Sequence, residues 1–357
     1  MTPRPVSALR HRADEMSGDA SVVLGPLEGY HHETYVFPLP DGTRVVKCRE
    51  PRAHILWFDR RCFGSEEELL RALKGHVARV PEIVDIEGVG LQGFIEGRTL
   101  GPGRWPTRRV PDEILDQIVG LFRDMVRLSP DRLRHVDRRC LPEDRAEDGD
   151  SDGFLERLVV FSEENVHNRN SARFGSLYRA FGVREDSFTR LRKRVLGLRQ
   201  RPFCLLHADL HRENFIVDPQ RRLWTIDWEL AMLGDPLYDL ATHLHLMRYR
   251  ADQETRMVRD WCEAVEGVRP GSSYGWQQDL ERILEFKRAQ SVFTDVIRVS
   301  LSLVDGTDLN WFALPRATRK LHRALTAAAA PLGLDTVPSR ADIGAALVGW
   351  HRDQRTA

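Results

Sequence analysis

Along the first hundred positions, apolar residues come in short runs broken by turn residues, the pattern of strands rather than helices. Residues 21–50 carry three such runs, SVVLG, ETYVFPL and TRVVKC, with turns expected at Pro26 to Gly29 and at Pro40-Asp41-Gly42. Asp41-Gly42 is a hairpin signal, because these residues tolerate the positive φ that tight turns need. Residues 83–96, IVDIEGVGLQGFIE, repeat the pattern with a turn at Gly88 to Gly90. Between the hairpins the period changes. In SEEELLRALKG, Ser65 and Glu68 stand at capping-box spacing and Gly75 follows near the end, so a helix is expected. Glu66 shares a face with Leu69, Leu70 and Leu73 and should point inward, whereas Glu67 points elsewhere. Residues 1–20 are polar and read as a short helix or a loose tail.

From Pro111 onward the pattern is helical. DEILDQIVGLFRDMVRL places Ile114, Ile118, Leu121, Val126 and Leu128 close to a 3.6 period. LPEDRAEDGDSDG, residues 141–153, is acidic and reads as a solvated surface loop. Its last six residues, DGDSDG at 148–153, resemble the start of a calcium loop, but position 12 counted from Asp148 is Val159, where a bidentate Glu is required, so calcium is excluded. The basic run at Arg190 to Arg201 reads as a solvated helix face. Two apolar strands then flank residues 207–214, and a helical tail runs from 237, with Trp311, Leu321, Leu325 and Trp350 as expected core. No internal repeat is visible. The class is α+β and bilobal: a β-rich lobe at 1–97, a link near 97–104, and a mainly helical lobe at 98–357.

Composition narrows the function. Lys+Arg and Asp+Glu both number 53, so no net field draws the chain to nucleic acid or a membrane surface. The five cysteines are scattered without a CxxC pair, which gives neither a zinc site nor a disulfide framework. The first residues have no apolar segment of signal type, and no run approaches a membrane span, so a cytoplasmic protein is expected.

The chemistry concentrates in HADLHRENFIVDPQRRLWTIDWE, residues 207–229. Ionisable groups packed between two buried strands are costly unless paired or working. The strand after Asn214 runs to Asp218, turns, and returns through LWTIDWE, which brings Asp227 back beside Asn214. Asp209, Asn214 and Asp227 then share one end of a sheet. A carboxylate, an amide and a second carboxylate suit a hard divalent cation plus a general base, the needs of phosphoryl transfer. His207, Asp209 and His211 alone could instead be three ligands of a hydrolytic metal site. That reading leaves Asn214, Asp227 and Lys47 without a role.

His207-Ala-Asp209-x-x-x-x-Asn214 followed by Ile226-Asp227-Trp228 resembles the catalytic and metal loops of kinases. More closely it is similar to the aminoglycoside phosphotransferase and choline kinase-like family, where the loops typically read HGDLHxxN and I-D-[WF]. The resemblance extends roughly from Val22 to Leu246. It implies a protein kinase-like fold, ATP and Mg²⁺ as cofactors, and a hydroxyl acceptor. In the catalytic set it implies Asp209 as the carboxylate near the substrate hydroxyl, His207 holding the loop, and His211 facing the transferred phosphoryl group. Asn214 and Asp227 would be metal ligands, Asp235 and Asp239 would brace the loop, and Trp228 would be structural. Ala208 departs from the usual Gly, a mild change.

The small lobe should then bind the nucleotide. Lys47, on a strand with apolar neighbours, would reach the α- and β-phosphates with Glu66 as its partner. Gly93, Phe94 and Ile95 would offer backbone groups to adenine, and Gly29, His31 and His32 would lie in the phosphate-covering loop, although GPLEGYHHET is not GxGxxG. The acceptor would be a small molecule such as an aminoglycoside-like antibiotic, drawn in by the acidic stretch if it is cationic. Alternatively, the family resemblance implies a Ser/Thr kinase of precursor peptides in lanthipeptide- or thioamitide-like pathways, with a possible partner protein; the His31-His32 loop, FIEGRTL and QSVFTDVIR resemble that subgroup. A pseudokinase serving only as a binding partner is disfavoured by intact Lys47, Asp209, Asn214 and Asp227.

Overall fold

The computed structural model describes residues 7–27, 32–52, 60–86, 88–101, 109–306 and 308–356. Helix α1 (Ala8–Ser17) is capped by Ser7, whose Oγ accepts from the Arg10 amide, and it ends at Gly18 in the left-handed region. Its apolar positions Leu9 and Ala13 are four apart and pack on Tyr35, Phe37, Val46 and Cys48. Those residues belong to a four-stranded antiparallel sheet of order β1-β2-β4-β3: β1 (His32–Pro38), β2 (Val45–Pro51), β3 (Ile83–Ile86) and β4 (Val89–Gly93). The expected strand at SVVLG does not form. Asp19 accepts from the Ser21 amide at 2.8 Å and caps a single 3-10 turn, Ala20–Val22, after which Leu24 bridges to Val36 and the Leu27 amide donates to the Thr34 carbonyl at 2.9 Å.

Helix α2 (Glu66–Leu73) starts at its Ser65 cap as expected and buries Leu69, Leu70 and Leu73. Those three leucines join the large core cluster of the helical region rather than the cluster under the sheet. The link forms a strand, β5 (Arg98–Thr99), paired to β7 (Phe215–Val217), which pairs with β8 (Leu223–Thr225). A second small ladder joins β6 (Cys204–Leu206) to β9 (Met232–Gly234). Around these ribbons pack α3 (Asp112–Val126), α4 (Ser151–Phe161), α5 (Ser171–Ala180), α6 (Ser187–Val195), α7 (Pro236–Met247), α8 (Ala251–Glu266) and α9 (Trp276–Ser302). A hairpin of β10 (Val304–Asp305) and β11 (Asp308–Leu309) leads into α10 (Leu314–Leu332) and α11 (Arg340–Thr356).

The acidic stretch is a surface segment, with Glu143, Asp144 and Glu147 exposed, but three of its carboxylates also accept from backbone amides. Asp148 accepts from Phe203 at 2.7 Å, Asp150 caps α4 through Gly153 at 2.8 Å, and Asp152 takes both Gly197 and Leu198 at 2.8 Å. The basic run lies largely on the exposed face of α6, as expected, with its arginines paired and one of them buried. Arg192 bridges Glu156 and Glu163, Arg194 pairs with Glu285, and Arg201 is fully buried between Asp235 and Asp279. Leu321, Leu325 and Trp350 lie in the core as expected, with Trp350 stacked on Phe174. Trp311 does not: it is 62% exposed, at the turn before α10. No helix among the described residues is long and apolar enough to cross a membrane.

Candidate active site

β6 delivers the chain into residues 207–211, a 3-10 turn at Arg212–Asn214 follows, and β7 leaves. β8 returns with Phe215 opposite Thr225, and the Ile226 amide donates to the Asn214 carbonyl at 3.0 Å. This ladder sets Asp227 beside Asn214. Asn214 is buried and donates its Nδ2 to the Asp209 carbonyl at 2.9 Å and to Asp209 Oδ2 at 3.2 Å. That contact fixes the Asp209 carboxylate on one side. His211 Nε2 lies 3.4 Å from Oδ2 on the other, while His211 Nδ1 accepts from the Glu213 amide and caps the turn. Burial opposes a charge on His211, and the Asp209 carboxylate more than offsets it, raising the imidazole pKa. A second proton would have to displace the Glu213 amide from Nδ1.

Behind this loop stands α7. Asp239 accepts from the His207 amide at 3.0 Å and the Ala208 amide at 2.7 Å; burial lifts its pKa to about 6 against the pull of those two bonds. Asp235 caps α7 through the Leu237 amide. His207, grouped above with the catalytic residues, has a supporting place. It is fully buried, donates Nε2–H to the Ile226 carbonyl at 3.1 Å, and packs 4.6 Å from Trp228, centroid to centroid. Burial holds it below the usual histidine pKa. The three-ligand site of His207, Asp209 and His211 is not assembled, because His207 is turned to Ile226. Among the described residues no group of three or more His, Cys, Asp and Glu is placed to hold a metal ion.

The sheet supplies the facing wall, and here one expectation fails. Lys47 and Glu66 make no ion pair. Glu66 is buried, with Oε1 accepting from the Trp228 amide at 2.6 Å and Oε2 from Gln92 Nε2 at 2.7 Å, and its cation is Arg49. Arg49 also reaches Asp227 Oδ1 at 3.2 Å. Side chains two apart on a strand share a face, so Lys47 and Arg49 both look toward the metal loop, and the longer, forked guanidinium takes the carboxylates. Burial and the neighbouring Arg49 depress the Lys47 pKa to about 8, opposed by Asp227. Asp227 itself is held low against burial, chiefly by Arg49 and then by Lys47. It sits in the left-handed region at φ 67° and ψ 63°, a strained conformation of the kind that clusters at working sites.

Sequence reasoning also missed Glu229. It follows Asp227 by two residues, is half-buried, and contacts Arg61 at 3.1 Å and His32 at 3.4 Å; desolvation and Asp227 push its pKa to about 7. The signal available was spacing alone: Arg49 is two beyond Lys47, and Glu229 two beyond Asp227. At the hinge, Gly93 and Phe94 spend their amides on the Glu82 and Val45 carbonyls. The Ile95 amide and carbonyl make no backbone hydrogen bond to another described residue. Gly29 and His31 lie outside the described residues, and His32 begins β1 against Glu229.

A small sheet over a helical region, with a carboxylate loop facing a strand-borne lysine, defines a bilobal phosphotransferase of the protein kinase-like fold. The chain belongs to the phosphotransferase enzyme family, whose pattern it matches over residues 23–278. The fold is similar to that of the choline kinase LicA from Streptococcus pneumoniae, at 18% identity and TM-score 0.55, covering 90% of this chain and 99% of that one. It is similar also to a choline/ethanolamine kinase family protein from Mesorhizobium loti, at 18% identity and TM-score 0.52, covering 95% and 97%. A third is APH(2")-IIa in its gentamicin complex, at 14% identity and TM-score 0.51, covering 92% and 98%. No curated protein matches the chain.

Proposed function

We propose that the protein transfers the γ-phosphate of ATP to a hydroxyl group of a small molecule, with residues 1–97 as the nucleotide lobe and 98–357 as the catalytic and acceptor lobe. The observation that carries this is the convergence of Asp209, Asn214 and Asp227 at one end of the β7–β8 hairpin, opposite Lys47. Asp209, fixed by Asn214, orients the acceptor hydroxyl and takes its proton. His211, beside it, contacts the phosphoryl group in transfer. Lys47 binds the α- and β-phosphates, and the Ile95 backbone receives the adenine edge.

The residues fit Mg²⁺. Asn214 uses its Nδ2 on Asp209, which leaves Oδ1 as an acceptor, and Asp227 keeps Oδ2 free of any described partner. Two hard oxygen donors suit an ion that takes its remaining ligands from phosphates and water. When bound, it would neutralise charge on the transferred group.

The acceptor class is supported by the small molecules in the names of the similar structures, choline and gentamicin. In the acidic stretch Asp148, Asp150 and Asp152 accept from backbone amides, which leaves the exposed Glu143, Asp144 and Glu147 as the acids that would draw in a cationic acceptor. Isothermal calorimetry of ATP with and without Mg²⁺, in wild type and Asp227→Asn, tests the metal assignment: affinity should depend on Mg²⁺ and that dependence should vanish in the variant. Phosphate transfer to choline, aminoglycosides and Ser/Thr peptides then tests the acceptor. Turnover of the peptides alone would overturn the small-molecule reading.

A further inference from the structure

We propose that Arg49, and not Lys47, is the positioning residue that ties α2 to the metal loop, leaving Lys47 as the cation that meets the nucleotide phosphates. The Lys47 half rests on the function proposed above; the Arg49 half stands on geometry alone.

Glu66 is the buried carboxylate of α2, and its two oxygens are already committed. Oε1 holds the Trp228 amide, and Oε2 holds Gln92 and the Arg49 guanidinium. Gln92 lies opposite Lys47 in the β2–β4 ladder, so the strand position facing α2 is filled before the Lys47 amine could reach it. Arg49 uses one terminal nitrogen for Glu66 and the other for Asp227 Oδ1. A planar fork can serve two carboxylates at once; an ammonium is a point charge on a flexible stem. Lys47 makes no hydrogen bond or ion pair with any described residue. Asp227 is therefore pinned from two directions, its side chain by Arg49 and the next amide by Glu66. Both contacts act on a residue in the left-handed region, which an aspartate visits more readily than most residues but still at a cost in strain. The sheet, α2 and the metal loop thus meet at one guanidinium, and loss of that group should loosen the backbone at 227–228 rather than merely remove a charge.

The test compares Arg49→Met, Arg49→Lys and Lys47→Met in the full chain by hydrogen exchange at the Trp228 amide and by calorimetry of Mg²⁺-ATP. Arg49→Met should speed exchange at Trp228 by roughly tenfold or more, the effect of losing a charge-assisted anchor on the accepting carboxylate. Arg49→Lys should fall between, since one ammonium cannot span Glu66 and Asp227. Lys47→Met should leave Trp228 exchange as in wild type and weaken nucleotide binding by roughly tenfold. Faster Trp228 exchange in Lys47→Met with none in Arg49→Met overturns the proposal, as does no change in either. Should Arg49→Met fail to fold, Arg49→Lys decides, and an exchange rate equal to wild type overturns it. If wild type binds no nucleotide, the proposed function fails while the amide comparison still settles the place of Arg49.

Discussion

Ala208 donates its amide hydrogen to Oδ1 of Asp239 at 2.7 Å, and it does so from a left-handed backbone at φ 65°. A β-carbon in that region strains the chain by about 1–2 kcal/mol, so the exchange of the family's usual Gly for Ala is less mild than composition implies. The Asp239 contact holds the residue there regardless. Ala208→Gly should therefore stabilise the protein, by about 0.5–1 kcal/mol after the extra unfolded-state entropy of glycine is subtracted. Urea unfolding checks this, and a midpoint that moves down would show that the strain is not stored at Ala208.

Asp209→Asn should lower turnover by roughly two to four orders of magnitude, the range for a positioned proton acceptor. Nucleotide affinity should stay near wild type, because Asp209 contacts Asn214 and His211 and not the sheet. Steady-state kinetics beside calorimetry separates the two. Affinity collapsing together with turnover would make Asp209 a structural residue.

Nucleotide binding should weaken as pH rises through about 8, the value to which burial and Arg49 bring Lys47. The sign follows from the ammonium: it is charged below that pH, attracts phosphate there, and is lost above it. Lys47→Arg, which stays protonated, should flatten the dependence between pH 7 and pH 9.5. A wild-type profile already flat over that span would place the amine away from the phosphates.

Acid should unfold the protein through its buried imidazoles. His243 donates Nδ1–H to the Leu210 carbonyl and accepts at Nε2 from Tyr249, and burial drops both His243 and His245 to about 3 from an ordinary 6.5. Their stabilisation is fully present above pH 6.5 and is lost as pH falls toward 3, because the unfolded chain takes up the protons first. Each contributes a slope of up to about 1.4 kcal/mol per pH unit in that window. Asp239 works in the opposite direction, since its raised pKa lets the folded state take a proton near pH 6. His243→Gln should make the acid slope shallower by about one histidine's share, and an unchanged slope in urea titrations at pH 4 to 6 would refute this.

The candidate site was legible because its residues are close in sequence: Asp209, Asn214 and Asp227 flank one β-hairpin, β7–β8, whose register follows from alternation. α2 and α3 were legible from caps and period. The partner of Glu66 was not. Lys47 and Arg49 share a strand face, and pattern alone cannot say which reaches across; the deciding factors are side-chain length and the presence of Gln92. The pairing of three aspartates in the acidic stretch was hidden for a related reason. Charge density reads as solvation until one knows that the Phe203, Gly197 and Leu198 amides lie beside it, fifty residues away in sequence. Trp311 looked like core by residue type, yet it falls in the turn between β11 and α10, where no apolar surface covers it.

Arg201 binds Asp235 with a bidentate fork, Asp279 at 2.8 Å and the Tyr274 carbonyl at 2.7 Å, all away from water. Asp235 begins the helix that braces the loop at 207–211, and Asp279 lies in the first turn of α9. Separating either partner would strand a buried charge, a change that typically costs about 3–5 kcal/mol. The motif-poor C-terminal helices are consequently not an accessory to the reactive loop but part of the same cooperative unit. In a calorimeter, the melting of α9 and the collapse of the loop should be a single endotherm, and acceptor-side variation beyond residue 280 is free only where it leaves that junction dry.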